Sequence, residues 1–126
     1  MIEVGQKMEW TRTIAAEDVR RFGEVTGDQG LHHVREDAAG RLMAQGLLTA
    51  SLPTKLGGDL NFIARTMTFE FLKPVYAGDT LTCRGLVDSV EREPSRLRVS
   101  FSFVVTRQDG EPVMRGASHG IILAAG

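Results

Sequence analysis

Cysteine is almost missing from this chain: Cys83 is the only one among its 126 residues. A single cysteine cannot form an intrachain disulfide, and it cannot build a cysteine zinc cluster. The three histidines do not have the spacing of a metal site either. Such a sequence suits a reducing compartment, so we expect a cytoplasmic protein that needs no metal.

Long apolar runs and a strong charge of one sign are missing as well. No segment approaches the roughly 18 apolar residues of a transmembrane span, and Met1–Gly5 has no basic region followed by an apolar core, so we expect no signal peptide. The formal net charge of −1 gives no electrostatic basis for binding nucleic acid or an anionic membrane. A hydrophobic fraction of 42% over 126 residues instead predicts one globular domain spanning residues 1–126.

Apolar spacing predicts a first helix and a loop. Val19, Phe22 and Val25 recur every three residues behind an acidic pair, which predicts a short helix with one buried stripe. Gly27 is expected to end this helix. Residues 28–40 are polar without a sustained period, so we expect a long loop with a turn of helix. Reactive side chains are often displayed on such loops.

A second helix is predicted from Gly46 to about Leu56, where the chain is apolar nearly all round. A helix that is apolar on every side is a buried helix. Pro53 is expected to kink or shorten its last turn, and Gly57-Gly58 to stop it.

After Asn61 the apolar period changes to two, which indicates strands. One strand follows Asn61, and three more are predicted at Leu81–Val90, Leu97–Thr106 and Val113–Leu123. A buried helix followed by antiparallel strands predicts an α+β fold in which a sheet curls around the helix. The expected core contains Leu47, Leu48, Leu52, Phe69, Phe71 and Phe101.

One constellation carries recognisable chemistry. Asp28 and His33 stand five residues apart on the loop, and a carboxylate with an imidazole can exchange protons near neutral pH. Gly46 opens the apolar helix after Gln45, and unpaired N–H groups at a helix start can stabilise an oxyanion. Together these groups are suited to positioning and activating a water molecule beside an activated carbonyl.

Three segments of the chain also match a known pattern. They are Thr26-Gly27-Asp28 with His33, Gln45-Gly46-Leu47-Leu48-Thr49-Ala50-Ser51, and Phe71-Leu72-Lys73-Pro74-Val75-Tyr76-Ala77-Gly78-Asp79-Thr80. Over about residues 10 to 123 the chain resembles MaoC-like hot-dog domains, which include R-specific enoyl-CoA hydratases and acyl-thioester dehydratases. The resemblance implies a hot-dog fold with five or six antiparallel strands wrapped around a central helix. It also implies a homodimer or larger homo-oligomer in which the acyl chain enters between subunits.

The chain departs from the family pattern at three places. Gly30-Leu31 replaces an Asn-Pro pair, Arg35 replaces an acidic residue, and Gln45 replaces the histidine before Gly46. Gln29 could offer an amide from the neighbouring position. Gln29, His32 and Gln45 are therefore possible site-lining residues.

The resemblance implies reversible hydration of an enoyl thioester, or dehydration of the R-3-hydroxyacyl form. Asp28 and His33 would be catalytic: they would hold and activate the water, and one of them would return the proton. The Gly46 N–H would bind the thioester oxyanion. No metal or redox cofactor is implied, and coenzyme A or acyl carrier protein would arrive as part of the substrate.

Two other functions stay open at this point. In a thioesterase on the same fold, Asp28 would activate water against the thioester carbonyl itself. In a non-catalytic acyl-binding subunit, the chain would pair with an active hot-dog partner, and the missing asparagine favours this reading slightly.

Each residue also has a plainer interpretation. Asp28 could simply cap the loop, and Gly46 could serve only a close approach to a strand. In a loop that is effectively one residue shorter, His32 would face the site instead of His33. Cys83 is expected to be a buried apolar filler and His119 a surface or interface residue.

Overall fold

The computed structural model describes residues 2–123 as four helices and five strands. In chain order they are β1 (Lys7–Thr13), α1 (Ala16–Thr26), α2 (Leu31–Val34), α3 (Gly46–Thr49), α4 (Ser51–Asp59), β2 (Phe62–Phe71), β3 (Thr80–Arg92), β4 (Arg96–Thr106) and β5 (Pro112–Leu123). No helix in residues 2–123 is long and apolar enough to cross a membrane.

The five strands form one antiparallel sheet in the order β1-β3-β4-β5-β2. One face of this sheet packs on α3 and α4, so that Phe101 and Phe103 of β4 lie in the same buried cluster as Leu52 and Leu56 of α4. The alternation of apolar and polar residues along β4 produces this two-sided sheet. The predicted α+β hot-dog fold is confirmed, with five strands in the described part of the chain.

Helix α1 forms where the sequence predicts it, and Gly27 ends it in the left-handed region at φ 79°. Val19 is fully buried, but the prediction for Val25 is wrong because its side chain is 85% exposed. A spacing of three residues falls short of the 3.6-residue turn, so each step rotates the stripe by about 60°. Val25 therefore lies about 120° around the helix from Val19.

The predicted buried helix is divided into two helices. The prediction that Pro53 would disturb its last turn is wrong, because the break lies before the proline. The break falls at Ala50, between α3 and α4, and Pro53 lies in the first turn of α4. Pro53 has no N–H to donate to the carbonyl of Thr49, so the ladder is interrupted ahead of the proline. Gly57-Gly58 does not stop the helix, which continues to Asp59.

The expected core is correct for the residues that face the sheet and wrong for two others. Leu48, Leu52 and Phe101 are buried, and Phe69 packs against the same cluster. Leu47 is 59% exposed and Phe71 is 52% exposed. Phe71 ends β2, which is an edge strand of the sheet formed by residues 2–123. Two large apolar side chains near the start of α3 are thus left on the surface.

Candidate active site

The loop after α1 is folded around Asp28. The Asp28 N–H donates to Oγ1 of Thr26 at 3.2 Å, and Oδ1 of Asp28 accepts the Gly30 N–H at 3.3 Å. Asp28 therefore does stabilise the loop, as the plainer interpretation expects. Its second oxygen, Oδ2, points in another direction and lies 3.7 Å from Nε2 of His33.

His33 is held in one orientation by the protein backbone. Its side chain is buried, and Nδ1 lies 2.8 Å from the carbonyl oxygen of Met43. Since a carbonyl only accepts, Nδ1 carries the hydrogen of the neutral ring and Nε2 keeps its lone pair. The lone pair thus belongs to the nitrogen nearest Asp28.

The 3.7 Å separation between Asp28 Oδ2 and His33 Nε2 is too long for a direct hydrogen bond. Polar atoms at such a distance are suited to binding one water molecule between them. The side chain of Asp28 is about half exposed whereas that of His33 is buried, so water reaches the pair from the loop side.

Gly46 lies at the start of α3, against an aromatic ring. The first bond inside the helix joins the Leu48 N–H to the Gln45 carbonyl at 3.0 Å, so the Gly46 N–H precedes the helix's own bonding. A Cβ atom at Gly46 would lie 2.9 Å from Cε1 of Phe71. The glycine therefore permits a close approach, and its N–H also remains available for a ligand.

A cleft of about 340 Å³ brings His33 and Gly46 to a common space. His33 and Gly46 line it together with His32, Thr49 and Phe71. Asp28 is not among its lining residues and meets His33 from the adjoining loop.

A larger depression lies on the face of the sheet opposite the helices. It measures about 640 Å³ and is lined by Arg84, Glu70 and Arg115. Arg84 is ion-paired with Glu9, and Arg115 with Glu70. The depression holds no histidine and no helix start, so the smaller cleft is the better candidate for chemistry.

Two of the three predicted lining residues lie elsewhere. The amide of Gln29 packs on α1, with Nε2 3.3 Å from where a Cβ of Gly23 would be. Gln45 is 1% exposed and donates from Nε2 to the carbonyl of Val19 at 2.9 Å, and its Oε1 has no hydrogen-bond partner among residues 2–123. Neither glutamine lines the cleft. His32 does line it, as an exposed residue whose ring centre is 3.8 Å from that of His33.

Sequence reasoning missed the role of Met43. Its carbonyl orients His33, and the next residue, Ala44, donates its N–H to the carbonyl of Val75 at 2.7 Å. Met43 also bridges to Tyr76. The segment that contains Val75 and Tyr76 was recognisable as a fold signature. The direction in which a backbone carbonyl points, however, cannot be inferred from residue types.

Cys83 and His119 lie outside this site. Cys83 is fully buried in the core, and burial raises the pKa of its thiol to about 12. The thiol is thus neutral, which agrees with an apolar filler. His119 is exposed on β5, facing away from the helices.

A sheet wrapped around a helix, with an Asp–His pair beside the helix start, defines a hot-dog protein of the hydratase and dehydratase class. The model of the family described as "FAS1-like, dehydratase domain region" matches residues 3–116. The chain belongs to this family of MaoC-like hot-dog dehydratases.

Individual relatives agree with this placement. The chain is 29% identical to the 3-hydroxybutyryl-CoA dehydratase of Methylorubrum extorquens AM1, over 90% of this chain and 80% of the relative. The R-hydratase PhaJ1 of Pseudomonas aeruginosa is similar in structure, with a TM-score of 0.82 and 29% identity, over 97% of this chain and 82% of that one. The (R)-hydratase of A. caviae involved in PHA biosynthesis has a TM-score of 0.84 and 24% identity, over 98% of both chains.

Proposed function

We propose that this member of the hydratase and dehydratase class hydrates trans-2-enoyl thioesters and dehydrates R-3-hydroxyacyl thioesters. The observation that carries the proposal is the pair Asp28 Oδ2 and His33 Nε2, 3.7 Å apart, beside a cleft that also contains Gly46. The similarity to relatives named R-hydratase and 3-hydroxybutyryl-CoA dehydratase supports this proposal.

In the hydration direction, a water bound between Asp28 and His33 attacks C3 of the enoyl group. One of the two side chains takes a proton from the water as the new C3–O bond forms. The electrons of the C2=C3 bond move onto C2 and the thioester carbonyl, where the Gly46 N–H stabilises the enolate oxygen. A proton then returns to C2, so the thioester bond stays intact.

The same side chains account for the reaction without a redox cofactor. Proton transfer by Asp28 and His33 and polarisation of the carbonyl by the Gly46 N–H are the steps that the chemistry requires. Coenzyme A or acyl carrier protein is proposed to enter as part of the substrate. A cytoplasmic setting, in which the buried Cys83 stays reduced, is part of the same proposal.

The active unit is proposed to be a homodimer. The cleft is bordered by Phe71, whose ring is half exposed at the end of edge strand β2. Leu47, next to Gly46 at the start of α3, exposes a second apolar side chain. A second copy placed along β2 would cover these side chains and give the cleft its missing wall.

One observation favours a second candidate, a non-catalytic acyl-binding subunit. Gly30 replaces the asparagine of the family pattern, and the amide of Gln29 packs on α1 instead of facing the pair. The site thus lacks a side-chain amide from this loop.

Absorbance of crotonyl-CoA in the enoyl-thioester band tests the proposal directly. We expect the band to fall when the purified chain is added, with no release of free thiol. Thiol release would indicate a thioesterase. Neither change, with short and long acyl groups on either carrier, would leave the non-catalytic subunit as the better reading.

A further inference from the structure

Thr49 is a buried polar residue whose hydroxyl has no partner within the described part of the chain. The buried polar side chains there are those of His33, Gln45, Thr49 and Ser118. His33, Gln45 and Ser118 each make a hydrogen bond to a backbone carbonyl. The hydroxyl of Thr49 makes no hydrogen bond to any of residues 2–123, although the residue is only 3% exposed.

Neighbouring hydroxyls in the same helical segment are satisfied in the ordinary way. Oγ of Ser51 donates to the carbonyl of Leu48 at 2.5 Å, and Oγ1 of Thr54 donates to the carbonyl of Ser51 at 2.7 Å. Serine and threonine inside helices commonly bond back to a carbonyl of the preceding turn in this way. Thr49 does not, so its hydroxyl is free to bind a ligand.

The hydroxyl of Thr49 opens on the cleft that contains Gly46. Thr49 lines this cleft together with His33 and Gly46. Among the described residues, Oε1 of Gln45 is the side-chain polar atom that is both sealed inside the protein and without a hydrogen-bond partner. The Thr49 hydroxyl also has no partner but is not sealed, so the small exposure of this residue includes its oxygen.

Helix geometry directs the Thr49 hydroxyl toward Gly46. The two residues are three positions apart in α3, so they lie on the same face, with about 5–6 Å between their Cβ positions. A Cα–Cβ bond in an α-helix leans toward the helix N-terminus, so a side chain covers the turn before its own. The hydroxyl of Thr49 and the N–H of Gly46 are thus within reach of one acceptor atom in the cleft.

The walls of the cleft increase the value of this hydroxyl to a ligand. Phe71, Val75 and Val113 line the cleft as well, and both valines are buried. A hydrogen bond is stronger in such apolar surroundings than in water, and a buried hydroxyl without a partner is costly. An acceptor oxygen supplied by the substrate would remove that cost.

We propose that Thr49 is a further catalytic residue, whose Oγ1–H donates a second hydrogen bond to the thioester oxygen beside the Gly46 N–H. The inference rests on the proposed function, which places that oxygen at Gly46. The oxygen gains negative charge as the water attacks C3, and the hydroxyl donates without changing its own protonation. The bond therefore strengthens toward the enolate, and it lowers the barrier more than it tightens substrate binding.

Thr49→Val tests the hydroxyl, because valine keeps the shape of threonine and replaces only the oxygen. We expect kcat for crotonyl-CoA hydration to fall about 10²-fold, the effect of losing one oxyanion donor, while KM changes less than about threefold. Thr49→Ser keeps a hydroxyl and should stay within about tenfold of the unmutated protein. Thr11→Val is the matched control and should leave the kinetics unchanged. The Thr11 hydroxyl meets that of Thr82 at 3.0 Å on β1, at the opposite edge of the described sheet from β2.

Urea unfolding separates this role from a structural one. A hydroxyl without a partner in the folded chain does not stabilise the fold, so Thr49→Val should unfold at the same urea concentration as the unmutated protein or at a higher one. A clearly lower midpoint would show that the hydroxyl is bonded within the protein, and it would overturn the inference.

Infrared spectroscopy of bound butyryl-CoA separates the contact from the reaction. This ligand carries the same thioester but has no double bond to hydrate, and an isotopic label on its carbonyl carbon gives a band that reports hydrogen bonding to the oxygen. We expect the band to lie at lower frequency on the unmutated protein and on Thr49→Ser than on Thr49→Val. If this pattern appears while no enoyl thioester is hydrated, the proposed reaction is wrong and the contact stands. The inference would be overturned by the same band position in these proteins, by no binding of butyryl-CoA, by full activity of Thr49→Val, or by equal losses in the valine and serine variants.

Discussion

At the scale of single residues, substitution tests the catalytic roles proposed for Asp28 and His33. Asp28→Asn removes the negative charge, and His33→Ala removes the lone pair of Nε2. Each change should lower hydration by about 10²-fold or more, the usual scale for acid–base groups. His32→Ala is the matched control, because His32 lines the cleft but is exposed, and it should lose much less activity. Steady-state rates on crotonyl-CoA measure all three variants, with circular dichroism to verify folding.

An inactive His32→Ala beside an active His33→Ala would contradict the assignment. The spacing from Asp28 favours His33 in the sequence, but a loop that is shorter by one residue would have favoured its neighbour. Burial of His33 and its bond to the Met43 carbonyl bring this histidine to Asp28. That backbone contact spans ten residues and could not be predicted, because any residue at position 43 supplies a carbonyl.

Gly46 has a steric reason to be glycine and a proposed catalytic one, and mutation can separate them. Gly46→Val should abolish turnover, since a side chain there would block the N–H from the thioester oxygen, at a typical cost of ~3 kcal/mol. The same change would collide with the ring of Phe71. We therefore expect Gly46→Val/Phe71→Ala, which removes the collision, to stay at least about 10²-fold below Phe71→Ala alone. Recovery of the double variant to the rate of Phe71→Ala would remove Gly46 from the mechanism.

At the scale of elements, the segment from Pro74 to Thr80 connects the site to the sheet. Oδ2 of Asp79 accepts the Tyr76 N–H at 2.9 Å, and Oδ1 accepts from Nε2 of Gln108 at 2.9 Å. The carbonyl of the neighbouring Val75 accepts the N–H of Ala44, which lies two residues before Gly46. The most specific sequence signature of this chain is therefore structural: it fixes the turn on which the site depends.

Asp79→Ala should lower stability more than activity. Loss of two hydrogen bonds at a turn predicts a decrease of ~1–3 kcal/mol in the free energy of unfolding. Urea unfolding measures this decrease, while the rate per folded molecule should stay near that of the unmutated protein. Asp88→Ala, an exposed position on β3, is the control and should change stability little. Equal losses for the two variants would contradict the role given to Asp79.

The ends of helices could be predicted from the sequence where a local preference, such as that of glycine for a left-handed position, determines them. Gly27 ended α1 as expected, because a left-handed position favours glycine. The break in the buried helix was placed wrongly, since the effect of Pro53 falls one turn earlier, at Thr49, to whose carbonyl Pro53 has no N–H to donate. The exposure of Leu47 was missed as well, because an all-apolar segment does not reveal which side lacks a partner.

At the scale of the whole molecule, the change of apolar period from helix to strand was sufficient to predict a sheet curled around a buried helix, and the resemblance to MaoC-like domains implied the hot-dog fold. What the sequence did not reveal is the strand order, which places β1 and β2 at the two edges of the described sheet. The two edges differ in character. The β1 edge exposes Lys7, Glu9 and Arg12, and charges on an edge oppose pairing with another strand. The β2 edge exposes two large apolar side chains, Ile63 and Phe71, beside the charged Arg65 and Glu70.

Because of this difference we expect a homodimer that forms along β2. Sedimentation at micromolar concentration should give about twice the 13.8 kDa mass of one chain. Ile63→Lys places a charge on that edge and should shift the equilibrium toward monomer by at least about tenfold, the effect of ~1.4 kcal/mol. Val104→Lys is the matched control: Val104 is 41% exposed against 46% for Ile63, but it lies on the central strand β4. A monomeric unmutated chain, or equal dissociation of both lysine variants, would show that β2 is not the interface.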